Sequence, residues 1–101
     1  MSLMRKISLI PYRVNGDQAY DVRGSLIDAL FGIRLGPRDL QEHDRIARKI
    51  ETAENNEVTL EENEYEKLVF CIRSFPQGYC RNDLEFVSRV MDAAEITVKE
   101  A

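Results

Sequence analysis

The chain has 101 residues, 44% hydrophobic and 32% charged, with a net charge of −4 and a pI near 5.0. That length supports one hydrophobic core, so residues 1–101 are read as a single domain, and the composition excludes a disordered chain. The acidic balance argues against general nucleic-acid binding, which needs a basic face to displace counterions, and no stretch is long and apolar enough to span a membrane.

The start, MSLMRKISLIPYRV, is basic, but Ser8 and Pro11 break its apolar run and no small-residue cleavage pattern follows. No signal peptide is therefore read. Met4 is read as an alternative start, which would make residues 1–3 an added remnant. Residues 6–14, KISLIPYRV, have the β-branched and aromatic content of a strand, with Pro11 marking an edge position or a bend. Asn15-Gly16-Asp17 predicts a turn, and Gln18 to Tyr20 a short return strand.

Asp21 caps a first helix over residues 22–31, whose apolar face is Val22, Leu26, Ala29, Leu30 and Ile33. Gly32 is expected to end it in a left-handed conformation. Gly36 and Pro37 open a second helix, with Pro37 at the first position, where its missing N–H costs nothing. Its buried face is read as Leu40, Ile46, Ala47, Ile50 and Ala53, and Asn55-Asn56 close it.

Residues 58–75, VTLEENEYEKLVFCIRSF, carry a helix start, an apolar stripe and a helix stop in order. Thr59 and Glu62 have capping-box spacing, Tyr65, Leu68, Val69 and Ile72 share one face, and Pro76 with Gly78 stops the helix. Phe70 and Cys71 widen its apolar surface, which predicts a central helix contacted on more than one side. Asn82 and Glu85 repeat the capping-box spacing before a last helix with the stripe Phe86, Val87, Val90, Met91 and Ala94. Residues 95–99, EITVK, alternate as a final strand. It should pair with residues 6–10, because a lone strand leaves its backbone unsatisfied, and residues 58–60 are read as able to add a few residues of pairing. The expected fold is α+β: about four helices and a small antiparallel sheet formed mainly by the two chain ends.

Charge is uneven along the chain. Residues 51–66 carry seven Glu and no base, whereas residues 1–50 carry nine Lys and Arg against six acids. A solvated acidic face is the simpler reading. The functional reading is a patch, Glu57, Glu61, Glu62 and Glu64, that docks a basic partner such as the Arg-rich second helix of another copy. Phe75 and Tyr79 flank Pro76-Gln77-Gly78 in the loop after the central helix. They either anchor a partner, as aromatic residues do in many interfaces, or fold back over the core.

No catalytic, cofactor or metal site is read. His43 is the one histidine, and its neighbours Glu42 and Asp44 point away from it along a helix, so it is read as a packed structural residue. Cys71 and Cys80 lack a C-x-x-C partner and are read as two reduced thiols of a cytoplasmic protein, although a bridge is possible by length. The glutamates lack the alternation and central Gly of a calcium loop. Gly32 and Gly36 form neither a P-loop nor a dinucleotide fingerprint, and Ser25 has no nucleophile-elbow context. A helix-turn-helix is disfavoured because the loop from Ser74 to Arg81 is long and the helix after it begins with acidic residues.

The stretches YDVRGSLIDALF, LEENEYEKL and NDLEFVSRVMDA give most of the chain a make-up that resembles small proteins of tailed bacteriophages and prophages. Such chains are short and acidic, with a strand-like start, a few helices and no enzyme motif. The resemblance implies a role in virion assembly or host takeover, in the host cytoplasm, and carries over no functional residue. The reading from sequence is thus a non-enzymatic protein–protein interaction or assembly protein without cofactor, acting on a protein partner or on itself as a homo-oligomer. The alternative is a small nucleic-acid-associated or transcriptional regulator.

Overall fold

The computed structural model describes residues 2–98. Met1 and Lys99, which the sequence reading places in the added remnant and in the last strand, lie outside them. The chain runs β1 (Ser2–Ser8), β2 (Tyr12–Val14), β3 (Gln18–Tyr20), α1 (Val22–Leu30), α2 (Pro37–Thr52), β4 (Glu57–Glu61), α3 (Glu62–Arg73), a 3-10 turn (Arg81–Asp83), α4 (Leu84–Met91) and β5 (Ala94–Val98). The α+β expectation holds: four α-helices accompany a three-stranded antiparallel sheet of order β4-β1-β5 and a separate β2-β3 hairpin.

The two chain ends do pair, but β1 is the central strand. Ser2–Lys6 face β5 and Met4–Ser8 face β4, so β5 pairs further toward the start of the chain than expected. Alternation explains the sheet's sidedness. Ile7, Val58 and Leu60 point into the core, while Lys6, Thr59 and Glu61 are exposed on the other face. Asn15 (φ 50°) and Gly16 (φ 87°) make the hairpin turn that the Asn-Gly pair predicts.

The main correction concerns residues 58–61. They are strand rather than the first turn of the helix, so the pairing expected of residues 58–60 holds and reaches Glu61, and Thr59 is not a cap. Val58 and Leu60 alternate inward and cover one edge of β1; a helix beginning at Thr59 would leave that edge unpaired. The capping box moves two residues on. Glu64 Oε1 accepts the Glu61 N–H at 2.9 Å, and the helix starts at Glu62. The last helix is corrected similarly. Its box is Cys80 with Asp83, whose Oδ2 accepts the Cys80 N–H at 2.8 Å, ahead of a 3-10 turn. Ala94 leaves the predicted helical stripe and opens β5.

Helix α1 follows its expectation: Asp21 Oδ1 accepts the Gly24 N–H at 3.0 Å, and Val22, Leu26, Ala29 and Leu30 are buried. Gly32 does not take a left-handed conformation. A Cβ there would stand 2.7 Å from the Phe75 ring, so glycine permits a close approach rather than a turn. Pro37 begins α2 as expected, and Arg23 of α1 caps the other end of α2, its Nη1 donating to the carbonyls of Ile50, Glu51 and Ala53. Leu40 is exposed, contrary to expectation, because the buried stripe of α2 starts one turn later with His43 and runs through Ile46, Ala47 and Ile50.

Helix α3 is central, touching α1, α4, β1 and β4. Leu68, Cys71 and Ile72 are buried, so the expected contact on more than one side holds, while Phe70, 59% exposed, marks the side left open. Tyr65 ties α3 to α4: its Oη donates to the Val90 carbonyl at 2.5 Å. Every buried side-chain polar atom among the described residues has a hydrogen-bond partner.

Part of the charge asymmetry of the sequence is offset within the chain, through Glu57, Glu62 and Glu64. Arg5 on β1 pairs with Glu62 and Glu95 and lies 4.6 Å from the centre of the Tyr65 ring. The Glu62 hydrogen bond is the main reason its guanidinium is held even higher than usual, against the opposing effect of burial. Lys6 pairs with Glu57, Lys49 with Glu64 and Lys67 with Glu42.

Candidate functional site

Helix α3 spans about 18 Å, and it separates the two groups of residues read as an interaction surface. Glu57, Glu61, Glu62 and Glu64 lie at its amino end. Glu57, Glu62 and Glu64 each hold a cation of the same chain, and Glu64 is only 8% exposed. The groove between α2 and α3 is lined by both signs, Glu42, Arg45, Lys49, Glu61, Glu64 and Lys67, and its ion pairs close across it. The Arg-rich second helix thus meets the acidic segment within one copy.

Phe75 and Tyr79 lie at the other end, where the loop returns. The Gly78 N–H donates to the Phe75 carbonyl at 3.1 Å, closing a turn with Pro76 second and Gly78 fourth, and Gly78 has φ +66°. The turn stacks the two rings, with centroids 5.5 Å apart and planes at 21°. The two rings differ in exposure. Phe75 packs back against Gly32, while Tyr79 stays 40% exposed. Tyr79 is nonetheless pinned, since its Oη donates to the Ile72 carbonyl at 2.9 Å.

Between this loop and α1 lies a cleft of about 210 Å³. One wall is Tyr20, Ser25, Asp28 and Ala29; the other is Phe75, Gln77, Gly78 and Tyr79; Asp83 and Phe86 complete it. An aromatic run crosses it. Tyr12 stacks on Tyr20 at 4.7 Å, Tyr20 meets Phe86 at 5.8 Å, and Phe86 meets Tyr79 at 6.4 Å. Tyr20 Oη donates to Asp83 Oδ1 at 2.5 Å. Burial, and then that bond, push the Tyr20 phenol well up, and burial raises Tyr79, so both remain neutral donors through the physiological range.

Asp83 shows the opposite balance. Burial works to raise its carboxyl, but the hydrogen bonds from Tyr20 and Cys80 outweigh it and hold the group below its ordinary 3.8. A depressed carboxyl contributes stability that is complete above the unfolded value and lost as pH falls through the folded one. Asp83→Asn should therefore lower the urea midpoint at pH 7, with the gap to the parent closing as pH falls below about 4, the ordinary aspartate value. A gap of the same size at pH 7 and pH 3 would contradict this assignment.

The sequence reading missed Tyr20, Ser25, Asp28, Asp83 and Phe86 as site residues. Ser25, Asp28 and Ala29 do fall at i, i+3 and i+4 on one helical face, but only the docked loop turns that face into a wall.

The buried pair His43 and Cys71 is no catalytic dyad. His43 Nδ1 lies 2.8 Å from the Leu30 carbonyl, which can only accept, so that nitrogen carries the proton. The same nitrogen is the one 3.6 Å from Cys71 Sγ and cannot act as its base. Burial also pushes the Cys71 thiol up, away from thiolate chemistry. Cys71 and Cys80 are both free, and no cluster of three or more His, Cys, Asp or Glu suited to a metal ion occurs among the described residues. No helix among them is long and apolar enough to cross a membrane. In comparisons with known proteins, no family model, curated protein or solved structure matches the chain.

Proposed function

We propose that the chain is a non-enzymatic protein–protein interaction or assembly protein that binds through the Phe75–Tyr79 edge and its cleft. The carrying observation is the state of Tyr79: exposed, yet held by a stacked ring and a hydrogen bond. An aromatic anchor immobilised before binding gives up little conformational freedom on association, which is what favours such residues as interface hot spots. Exposed Phe31 and Leu84 stand next in sequence to the end of α1 and to Asp83, and can extend the apolar contact. The first partner to test is a second copy. The setting proposed is the cytoplasm, with two free thiols, and by the resemblance of the sequence it is that of a phage or prophage protein in assembly or host takeover.

Sedimentation velocity over a concentration series tests this reading. A defined oligomer is expected, and Tyr79→Ala should weaken it by about 2 kcal/mol, the hot-spot threshold, or roughly thirty-fold in dissociation constant. A strict monomer that binds DNA in a salt-dependent manner would replace this reading with the regulator alternative.

A further inference from the structure

The cleft has a chemical bias beyond its aromatic content. Two carboxylates, Asp28 and Asp83, line it with the rings of Tyr20, Phe75, Tyr79 and Phe86, and no lysine or arginine does. The two carboxylates differ in availability. Asp83 already accepts from Tyr20 and from the Cys80 N–H. Asp28 is exposed and has no hydrogen-bond or ion-pair partner among the described residues. What distinguishes Asp28 from other surface carboxylates is its place in the wall of an aromatic cleft.

The volume limits the occupant. About 210 Å³ is below the roughly 300–1,000 Å³ typical of small-molecule and cofactor sites. It suits a single side chain. Aromatic faces attract cations, carboxylates bind them, and a planar guanidinium can stack on a ring while its edge donates to a carboxylate. Lysine offers a point charge and no plane.

We infer that the cleft is a receptor for an arginine side chain of a protein partner, with the guanidinium against the aromatic wall and its N–H groups on Asp28. This rests on the interaction reading above and supplies the chemistry of the partner. Asp83 adds negative potential, while its bonds to Tyr20 and Cys80 hold the wall in place.

The test is an NMR titration of the intact chain with N-acetyl-arginine N-methylamide, compared with the citrulline analogue, which has nearly the same shape and no charge, and with the lysine analogue. Saturable shifts are expected at Tyr20, Tyr79 and Phe86 with the arginine probe, and binding about ten-fold weaker with citrulline. Asp28→Asn should weaken arginine binding by about ten-fold while leaving the unfolding midpoint unchanged, since the side chain is exposed. Equal shifts with citrulline, equal or tighter binding of the lysine analogue, or an Asp28→Asn variant that binds arginine as the parent does would each overturn the inference. Loss of the oligomer in Tyr79→Ala alongside a failed titration would remove the arginine and leave the interaction surface standing.

Discussion

Phe86→Ala is expected to lower the free energy of unfolding by about 3–5 kcal/mol. The ring is 2% exposed and lies beneath both Tyr20 and Tyr79, at 5.8 and 6.4 Å between centroids. Its backbone N–H also donates to Tyr12 Oη at 3.1 Å, which fixes the start of α4 against the hairpin. Truncation removes the transfer energy of a large side chain and two aromatic contacts, each worth about 0.5–1.5 kcal/mol beyond area burial. One effect works the other way. The void would join a cleft that already opens to solvent, so water can fill part of it, and the loss should fall in the lower half of the range. Domains of this size are stable by about 5–15 kcal/mol, so even that is a large fraction. Guanidinium titration should show a lower midpoint with an unchanged slope. A loss below about 1 kcal/mol would mean that the ring is not part of the core.

The second large effect is a contrast within α3. Leu68→Ala should cost about 2–5 kcal/mol, whereas Phe70→Ala, which removes more apolar atoms two residues away, should stay within about 0.5 kcal/mol. The difference is burial alone: Leu68 is 0% exposed and Phe70 is 59% exposed. Hydrophobic stabilisation follows area removed from water on folding, not side-chain size. Denaturant unfolding of the two variants, each against the parent, measures this directly. Comparable losses would show that Phe70 is covered in the native protein. If Phe70→Ala left stability intact but dissolved the oligomer, the contact face would be the outer side of α3 instead of the Tyr79 edge.

Both contrasts bear on what could be read from the chain before its fold. The 3.6-residue period sets Phe70 on the side of α3 opposite Leu68, but it cannot say how many sides of a helix are covered. That depends on where α1, α4 and the sheet dock, and they leave the Phe70 side open. The same limit explains Leu40. It is in phase with Ile46, Ala47 and Ile50, yet its turn lies beyond the core. Capping boxes were legible as devices but not as positions. Thr59 and Glu62 satisfy the spacing as well as Glu61 and Glu64 do, and only the pairing of Val58 and Leu60 with β1 settles which pair is used.

The candidate site was half legible. Phe75 and Tyr79 stood out because they flank a Pro-Gln-Gly turn, and that turn forms by local chemistry. Their partners come from the hairpin, α1 and α4, and Tyr20 lies 63 residues from Asp83 along the chain. No local pattern encodes that distance. The acidic run 57–64 was also visible, but its state was not. Its cations come from β1 and α2, distant in sequence and adjacent only once the sheet and the helices have packed.

What the sequence by itself determined is the part governed by neighbours in the chain: the Asp21 cap, the Asn-Gly turn, Pro37 at the head of α2, the period of each helix and the α+β content. These depend on backbone sterics and hydrogen bonds within a few residues, which composition and spacing express directly. Tertiary structure alone decided the central place of β1, the choice of strand over helix for residues 58–61, the pairing of Glu57, Glu62 and Glu64 with cations of the same chain and the cleft between α1 and the Tyr79 loop. Each of these depends on which distant surfaces exclude water together, and burial of that kind is a property of the whole fold.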